Sequence, residues 1–162
     1  MQTLKFFNEI STNRYVQIVP FHWAHPYAMD LREFDKRAFD NIPNYQDMLK
    51  AFQAEGGAVT ALWRGKIIAC LGCNNMWPGV SEAWMITSVE FPDISVTATR
   101  AAIRYFDKVA IEHQLKRLQI TVDVENELAM RWAKVLKFTP EGVMRKYGAG
   151  GIDHMMFARI YE

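Results

Sequence analysis

The residues best placed to do chemistry lie in SVEFPDISVTATRAAIRYF, residues 88 to 106. An apolar strand ends there, a short polar turn follows and a long helix begins. A helix start presents unpaired backbone N–H groups and a partial positive charge, which together attract phosphate or carboxylate. The backbone of Ser95, Val96, Thr97, Ala98, Thr99 and Arg100 would supply those donors, with hydroxyls from Ser95, Thr97 and Thr99 and a full charge from Arg100. The turn contains no glycine. Glycine permits positive φ and a close approach of backbone to an anion, and β-branched threonine does neither well. Ser and Thr are also ordinary helix caps, so the run reads equally as a helix start with no ligand.

A second chemical motif is the lone C-x-x-C of Cys70 and Cys73 in IIACLGCNN. A zinc site there would be two ligands short, since no further Cys or His pair has ligand spacing. Redox C-x-x-C pairs open a helix, whereas this one lies in a strand-like run whose residues three apart face opposite sides. The two cysteines therefore read as buried free thiols, and no metal is expected.

The elements that must position these residues follow from periodicity. YVQIVPF (15 to 21) predicts a strand ending near Pro20. Tyr27, Leu31, Phe34 and Ala38 recur at helical spacing and predict a helix from Pro26 to about Asp40, with a second from Tyr45 to Glu55 stopped by Gly56-Gly57. The period then changes to two. Residues 58 to 64, 66 to 75 and 81 to 89 predict an antiparallel meander turning at Arg64-Gly65 and Pro78-Gly79. A helix from about Val96 to His113, a strand at 117 to 124 parallel to the one at 81 to 89, and a helix from Asn126 to about Lys137 come next. Asn126 reads as the cap of that last helix, with Leu128, Trp132, Val135 and Leu136 inward. Two strands near 139 to 147 and 152 to 161 flank GAGG. The fold class is α/β of the mixed α+β kind, in the order β-α-α-β-β-β-α-β-α-β-β, with a mostly antiparallel sheet of six to seven strands and about four helices.

Composition narrows the function classes. With 162 residues, half of them hydrophobic, the chain reads as one domain, 1 to 162, able to bury roughly two-thirds of its surface. Nineteen basic residues against 18 acidic ones, scattered along the chain, make no electrostatic case for nucleic acid or an anionic membrane. No run approaches the 18 apolar residues of a membrane span, and the first residues have no basic stretch followed by an apolar core, so a cytoplasmic protein is expected.

The element order resembles the GNAT (GCN5-related N-acetyltransferase) superfamily over roughly residues 15 to 161. The most specific part is RLQITVDVENELAMRWAKVLKF, where Val122, Asn126, Ala129 and Phe138 fall at the spacings of that family's V-x-x-x-N, x-x-A and terminal G-F. Val89 with Phe91-Pro92 is similar to its V-x-P. Within the superfamily, CLGCNN and AWMITS resemble the small GNAT-like proteins of T7-type phages, which would place the protein in a host cytoplasm. The resemblance implies acetyl-CoA as co-substrate, bound in a splayed cleft between the central strands. Counting from Asn126, the family's Q/R-x-x-G-x-G/A phosphate motif falls on Ile94, Thr97 and Thr99, none of which matches.

The same resemblance implies a direct acyl transfer from thioester to amine. A backbone N–H near Thr87, Ser88 and Val89 would polarise the thioester oxygen. Glu82, at the start of the central strand, lies about one residue from a position that carries a catalytic glutamate in some members, and burial beside Trp84 would raise its pKa toward a useful range. The family's tyrosine acid falls on Ala133 and its glycine before Phe138 on Lys137, so Tyr147 is the nearest substitute acid. His22 and His25 in PFHWAHP lie where members form the acceptor site, and histidine titrates near neutrality. The implied function is an acetyl-CoA-dependent N-acetyltransferase acting on an amine of a protein or small molecule. The alternative is a GNAT-fold binding protein that has lost catalysis and works through a protein partner. A homodimer is among the assemblies the sequence leaves open.

Overall fold

The computed structural model describes residues 15–162. In chain order the elements are β1 (Val16–Pro20), α1 (Glu33–Asn41), α2 (Tyr45–Glu55), β2 (Val59–Trp63), β3 (Lys66–Trp77), β4 (Val80–Thr87), α3 (Ser95–Glu112), β5 (Arg117–Asp123), α4 (Glu127–Val135), β6 (Thr139–Met144) and β7 (His154–Ile160). The seven strands make one mixed, mostly antiparallel sheet in the order β1-β2-β3-β4-β5-β7-β6, the fold class expected. Contacts divide the chain into two units. One runs to Asn74 and includes Trp84–Ala101; the other comprises Asn75–Ala83 and Ala102–Glu162. The divisions fall inside β3, β4 and α3, which is why no linker marks them in the sequence.

In the first unit β1 pairs antiparallel with β2, Val16 opposite Trp63 and Pro20 opposite Val59, and β2 pairs antiparallel with β3. Arg64 and Gly65 both hold positive φ, at 51 and 79°, as a two-residue type I′ hairpin turn requires. The core gathers Phe21, Tyr45, Leu49, Cys70 and Ile86, with Met48, Phe52 and Trp84 packed around them. Phe52 stacks on Trp84 at 4.6 Å between centroids and Phe21 meets the same indole edge-on at 5.3 Å. A Cβ at Gly72 would lie 2.9 Å from Ala58 Cβ and 3.0 Å from the Trp84 ring, so only glycine lets β3 pass beneath that indole.

One predicted element is corrected here. The continuous helix expected from Pro26 to Asp40 is broken into a 3-10 turn at His25–Ala28 and the later helix α1. Between them Leu31 forms an antiparallel bridge to Ser88, and Arg32 is extended at φ −64°, ψ 152°. Apolar spacing across the gap mimics a helix because Leu31 and Ala38 both pack on the same core. The pairing demand of β4 decides the backbone instead.

In the second unit Val80–Glu82 pairs parallel with Arg117–Gln119, as a strand-helix-strand crossover favours. β5 runs antiparallel to β7, and β7 to β6, where a bulge between Pro140 and Gly142 blunts the edge strand. Helix α4 is capped by Asn126, whose Oδ1 accepts the Ala129 N–H at 3.1 Å. Its inward face departs from the expected stripe. Leu128 and Val135 are about half exposed, at 48 and 58%, and Ala133 and Leu136 are buried. The helix ends in a Schellman motif, Phe138 N–H to Ala133 O at 3.0 Å and Lys137 N–H to Lys134 O at 2.9 Å. Lys137 therefore occupies the left-handed conformation, φ 68°, in which glycine is usual.

Candidate functional site

The end of β4 is held by backbone contacts on both edges. Ser88 N–H donates to Ile68 O of β3 at 2.9 Å. Backbone groups alternate along a strand, so Thr87 and Val89 address the opposite edge. That edge is met by the extended residues before α1. Arg32 N–H donates to Thr87 O at 3.2 Å, and Val89 N–H donates to Asp30 O at 2.9 Å. Asp35, on the first turn of α1, accepts from the Thr87 hydroxyl at 2.8 Å and from the Thr87 backbone N–H. Burial pushes the Asp35 carboxyl up to about 6, with the two Thr87 hydrogen bonds and the nearby Arg32 charge pulling it partly back. The backbone expected to polarise a thioester is thus engaged by the chain itself. Beyond it Glu90 closes the strand end, its backbone N–H on Ser88 Oγ at 3.2 Å and its carboxylate on Lys66 Nζ at 2.7 Å.

The glycine-free turn resolves into a 3-10 helix at Phe91–Ile94 that runs straight into α3. Ser95 stays in helical conformation at φ −55°, ψ −37°, and its N–H is taken by Pro92 O. The 3-10 turn thereby begins to consume donors that a free helix start would offer. Thr99 Oγ1 bonds back to Ser95 O at 2.7 Å within the helix. Val96 and Arg100 are exposed, and Thr97 and Ala98 are half-buried. Among the predicted anion donors, Arg100 retains the full charge at the surface.

His22 and His25 sit in the turn after β1. His25 Nδ1 takes the His22 backbone N–H at 3.2 Å and lies 2.8 Å from the buried Thr60 hydroxyl, and His22 Nδ1 takes the Ala24 N–H at 3.1 Å. A ring nitrogen that accepts a backbone N–H is unprotonated, which places the neutral ring's proton on Nε2. Both lone pairs are then spent on the turn. Each imidazole has an Nε2–H with which to donate. Burial, and the neighbouring His22, lower the pKa of His25.

In the second unit the Glu82 carboxylate acts on Tyr147. Glu82 Oε2 accepts from Gln119 Nε2 at 2.9 Å, its cross-strand partner in the parallel register. The Tyr147 hydroxyl is held above its ordinary pKa by partial burial and then by the Glu82 carboxylate. Tyr147 is 54% exposed, and its ring lies 5.6 Å from that of His154. Burial lowers the pKa of His154, and Asp123, its partner across β5 and β7, raises it. Ala133, where the family resemblance places a tyrosine, is 1% exposed, a core position on α4.

Sequence reasoning missed Asp35, Gln119 and His154. Asp35 lies on a helix with the opposite charges of a solvated face, and nothing in its spacing reports that Thr87 lands on it. Gln119 and His154 follow from strand register, which the sequence does not print. Both cysteines were expected to be buried: Cys70 is, its thiol pushed up to about 12 by burial, whereas Cys73 is half-buried. Among the described residues no group of three His, Cys, Asp or Glu could hold a metal ion, and no helix is long and apolar enough to cross a membrane.

This fold, with a parallel β4–β5 pair in a mostly antiparallel sheet, is similar to that of solved GNAT-family acetyltransferases. A GNAT-family acetyltransferase from Bacillus anthracis is similar over 91% of this chain and 95% of its own, at TM-score 0.68 and 14% identity. The Salmonella typhimurium protein yncA, solved with its cofactor acetyl-CoA, is similar over 92% of this chain and 95% of its own, at 0.67 and 11%. The ribosomal-protein-S5-alanine acetyltransferase from Vibrio fischeri is similar over 91% and 94%, at 0.64 and 14%. No family model and no curated relative matches at the level of sequence.

Proposed function

We propose that the protein is an acetyl-CoA-dependent N-acetyltransferase that acylates an amine of a protein or small molecule. The observation that carries this reading is the GNAT fold over nine-tenths of the chain, shared with a structure that holds acetyl-CoA. Thr87, Ser88 and Val89 would meet the thioester and acyl arm, residues Ser95 to Arg100 the phosphates, and Asn126 a further polar group through its side-chain NH2, since its Oδ1 is spent on the cap. Glu82 would take the proton of the attacking amine, and Tyr147 would return one to the departing thiolate. The phenol is protonated near neutral pH, and partial burial with the Glu82 charge raises its pKa further. His22 and His25 would donate from Nε2 to the acceptor. Two similar structures are named for ribosomal proteins, one for an alanine of S5 and one as an L7/L12 alpha-N-protein acetyltransferase, which makes a protein α-amine the first acceptor to try. Calorimetric titration with acetyl-CoA and with CoA tests the reading, and absence of binding at millimolar concentration would overturn it.

Two observations favour a second reading, a GNAT-fold binding protein without catalysis. The β4 edge is already filled by residues 30 to 35, and the position of the family's tyrosine is a core alanine. A phage setting belongs to this reading and rests on the short pieces CLGCNN and AWMITS. Capture of one defined protein partner together with failure to bind CoA would select it.

A further inference from the structure

The contacts at the end of β4 share one geometry. A strand edge ordinarily offers alternating N–H and C=O groups to whatever extended chain lies beside it. Here Thr87 N–H meets the Asp35 carboxylate, Thr87 O meets Arg32 N–H, and Val89 N–H meets Asp30 O. Three consecutive outward groups of one edge are satisfied by six residues of the same chain. The pairing is a single isolated bridge, Leu31 with Ser88, rather than a ladder. Next to it Asp30 is exposed and Val89 is 49% exposed.

We propose that residues 30 to 35 form a removable plug on the β4 edge, holding the place of an extended amide-bearing arm such as the pantetheine of acetyl-CoA. The proposal rests on the acetyl-CoA reading above. An arm with two amides in extended conformation would seek the same donors and acceptor that Asp30, Arg32 and Asp35 now use. Binding must then lift the segment, and the measured affinity is reduced by the fraction of molecules in which the edge is open. The plug is anchored on its other side by Met29 and Leu31, which pack on the Cys70 and Ile86 core. Lifting it moves residues 30 to 32 together with the first turn of α1, where Asp35 lies.

Arg32 allows the plug to be loosened by one atom. Its φ of −64° already suits proline, and Leu31 before it is extended as a residue preceding proline must be. Arg32→Pro deletes the N–H that reaches Thr87 O, and Arg32→Ala controls for loss of the side chain. CoA binding by calorimetry should be roughly fivefold tighter in R32P than in R32A, the worth of one net backbone hydrogen bond. Amide exchange at Val89 should be faster in R32P. In the wild type, saturating CoA should speed exchange at Arg32, whose acceptor the ligand displaces, and this measurement decides should R32P not fold. If CoA binds but R32P gains nothing over R32A, or the Arg32 amide is not released, the plug is wrong and the cofactor reading stands. If CoA binds none of the three proteins at millimolar concentration while Val89 exchanges faster in R32P, the cofactor reading is wrong and the plug falls with it.

Discussion

Asp35 is a carboxylate taken largely out of water, and its protonation is tied to stability. Its pKa stands at about 6 against an ordinary 3.8. As pH rises through that interval the unfolded chain releases the proton first and the folded protein keeps it, so stability is greatest below about 4 and falls toward 6. A shift of this size corresponds to about 3 kcal/mol. The groups that face it are Arg32, which eases the charge, Tyr45, whose own pKa its charge helps to raise, and Thr87. Asp35→Asn keeps an acceptor for Thr87 and removes the charge. Urea unfolding should show the variant more stable by about 1–3 kcal/mol at pH 7.5 and flatter between pH 4 and 6; an unchanged slope would mean another group carries it. Glu82 gives a second residue-scale test. If the protein is the proposed acetyltransferase with Glu82 as base, Glu82→Gln should lower turnover roughly 10²-fold with CoA affinity nearly unchanged. It should also lower the Tyr147 titration midpoint read by ultraviolet absorbance, because the carboxylate that opposes phenolate formation is gone. A Tyr147 midpoint that stays in place would separate the two residues.

At the scale of elements, Lys137 ends α4 in a conformation that costs a side chain roughly 1–2 kcal/mol. Lys137→Gly should stabilise the protein by about 1 kcal/mol in thermal or chemical unfolding, with the Schellman bonds to Ala133 and Lys134 retained. No gain would show that the lysine is held by contacts that offset the strain. The elements themselves were largely legible. α2 runs from Tyr45 to Glu55 as its period and double glycine foretell, and the Asn126 cap and the parallel β4–β5 pair are where the sequence puts them. Residues 29 to 32 were not legible, because a single bridge to a strand 57 positions away in sequence leaves no local pattern. The face of α4 was misread for a different reason. Hydrophobicity chose Leu128 and Val135, but close packing chose the smaller Ala133. Glu82 and Tyr147 could each be singled out from the sequence, but their proximity could not, because Tyr147 lies in the turn after β6 and not on the strand expected there.

For the whole molecule, the likeness to these acetyltransferase structures at 11–14% identity means that the fold is kept while most side chains differ. The charge balance of 19 to 18 leaves little long-range steering of an anionic ligand. If the protein binds acetyl-CoA as proposed, its affinity would come from local contacts, and saturation should register in global stability. At a hundredfold excess over Kd the gain is about 2.7 kcal/mol, a rise in Tm of roughly 5–10 °C for a chain of this size. A flat melting curve with millimolar acetyl-CoA would contradict it. The buried thiol of Cys70 offers a way to watch such changes without any label. Its sulfur is screened by Thr60 at 3.5 Å and by the Met29 sulfur at 3.7 Å, and a thiol with pKa near 12 is almost wholly unreactive toward alkylating agents at neutral pH. Cys73, half-buried on the same strand, should be modified first. The slower modification of Cys70 then becomes a clock for opening of the core that Thr60 and Met29 cover, so the wild-type chain carries its own chemical timer for how often that part of the molecule opens.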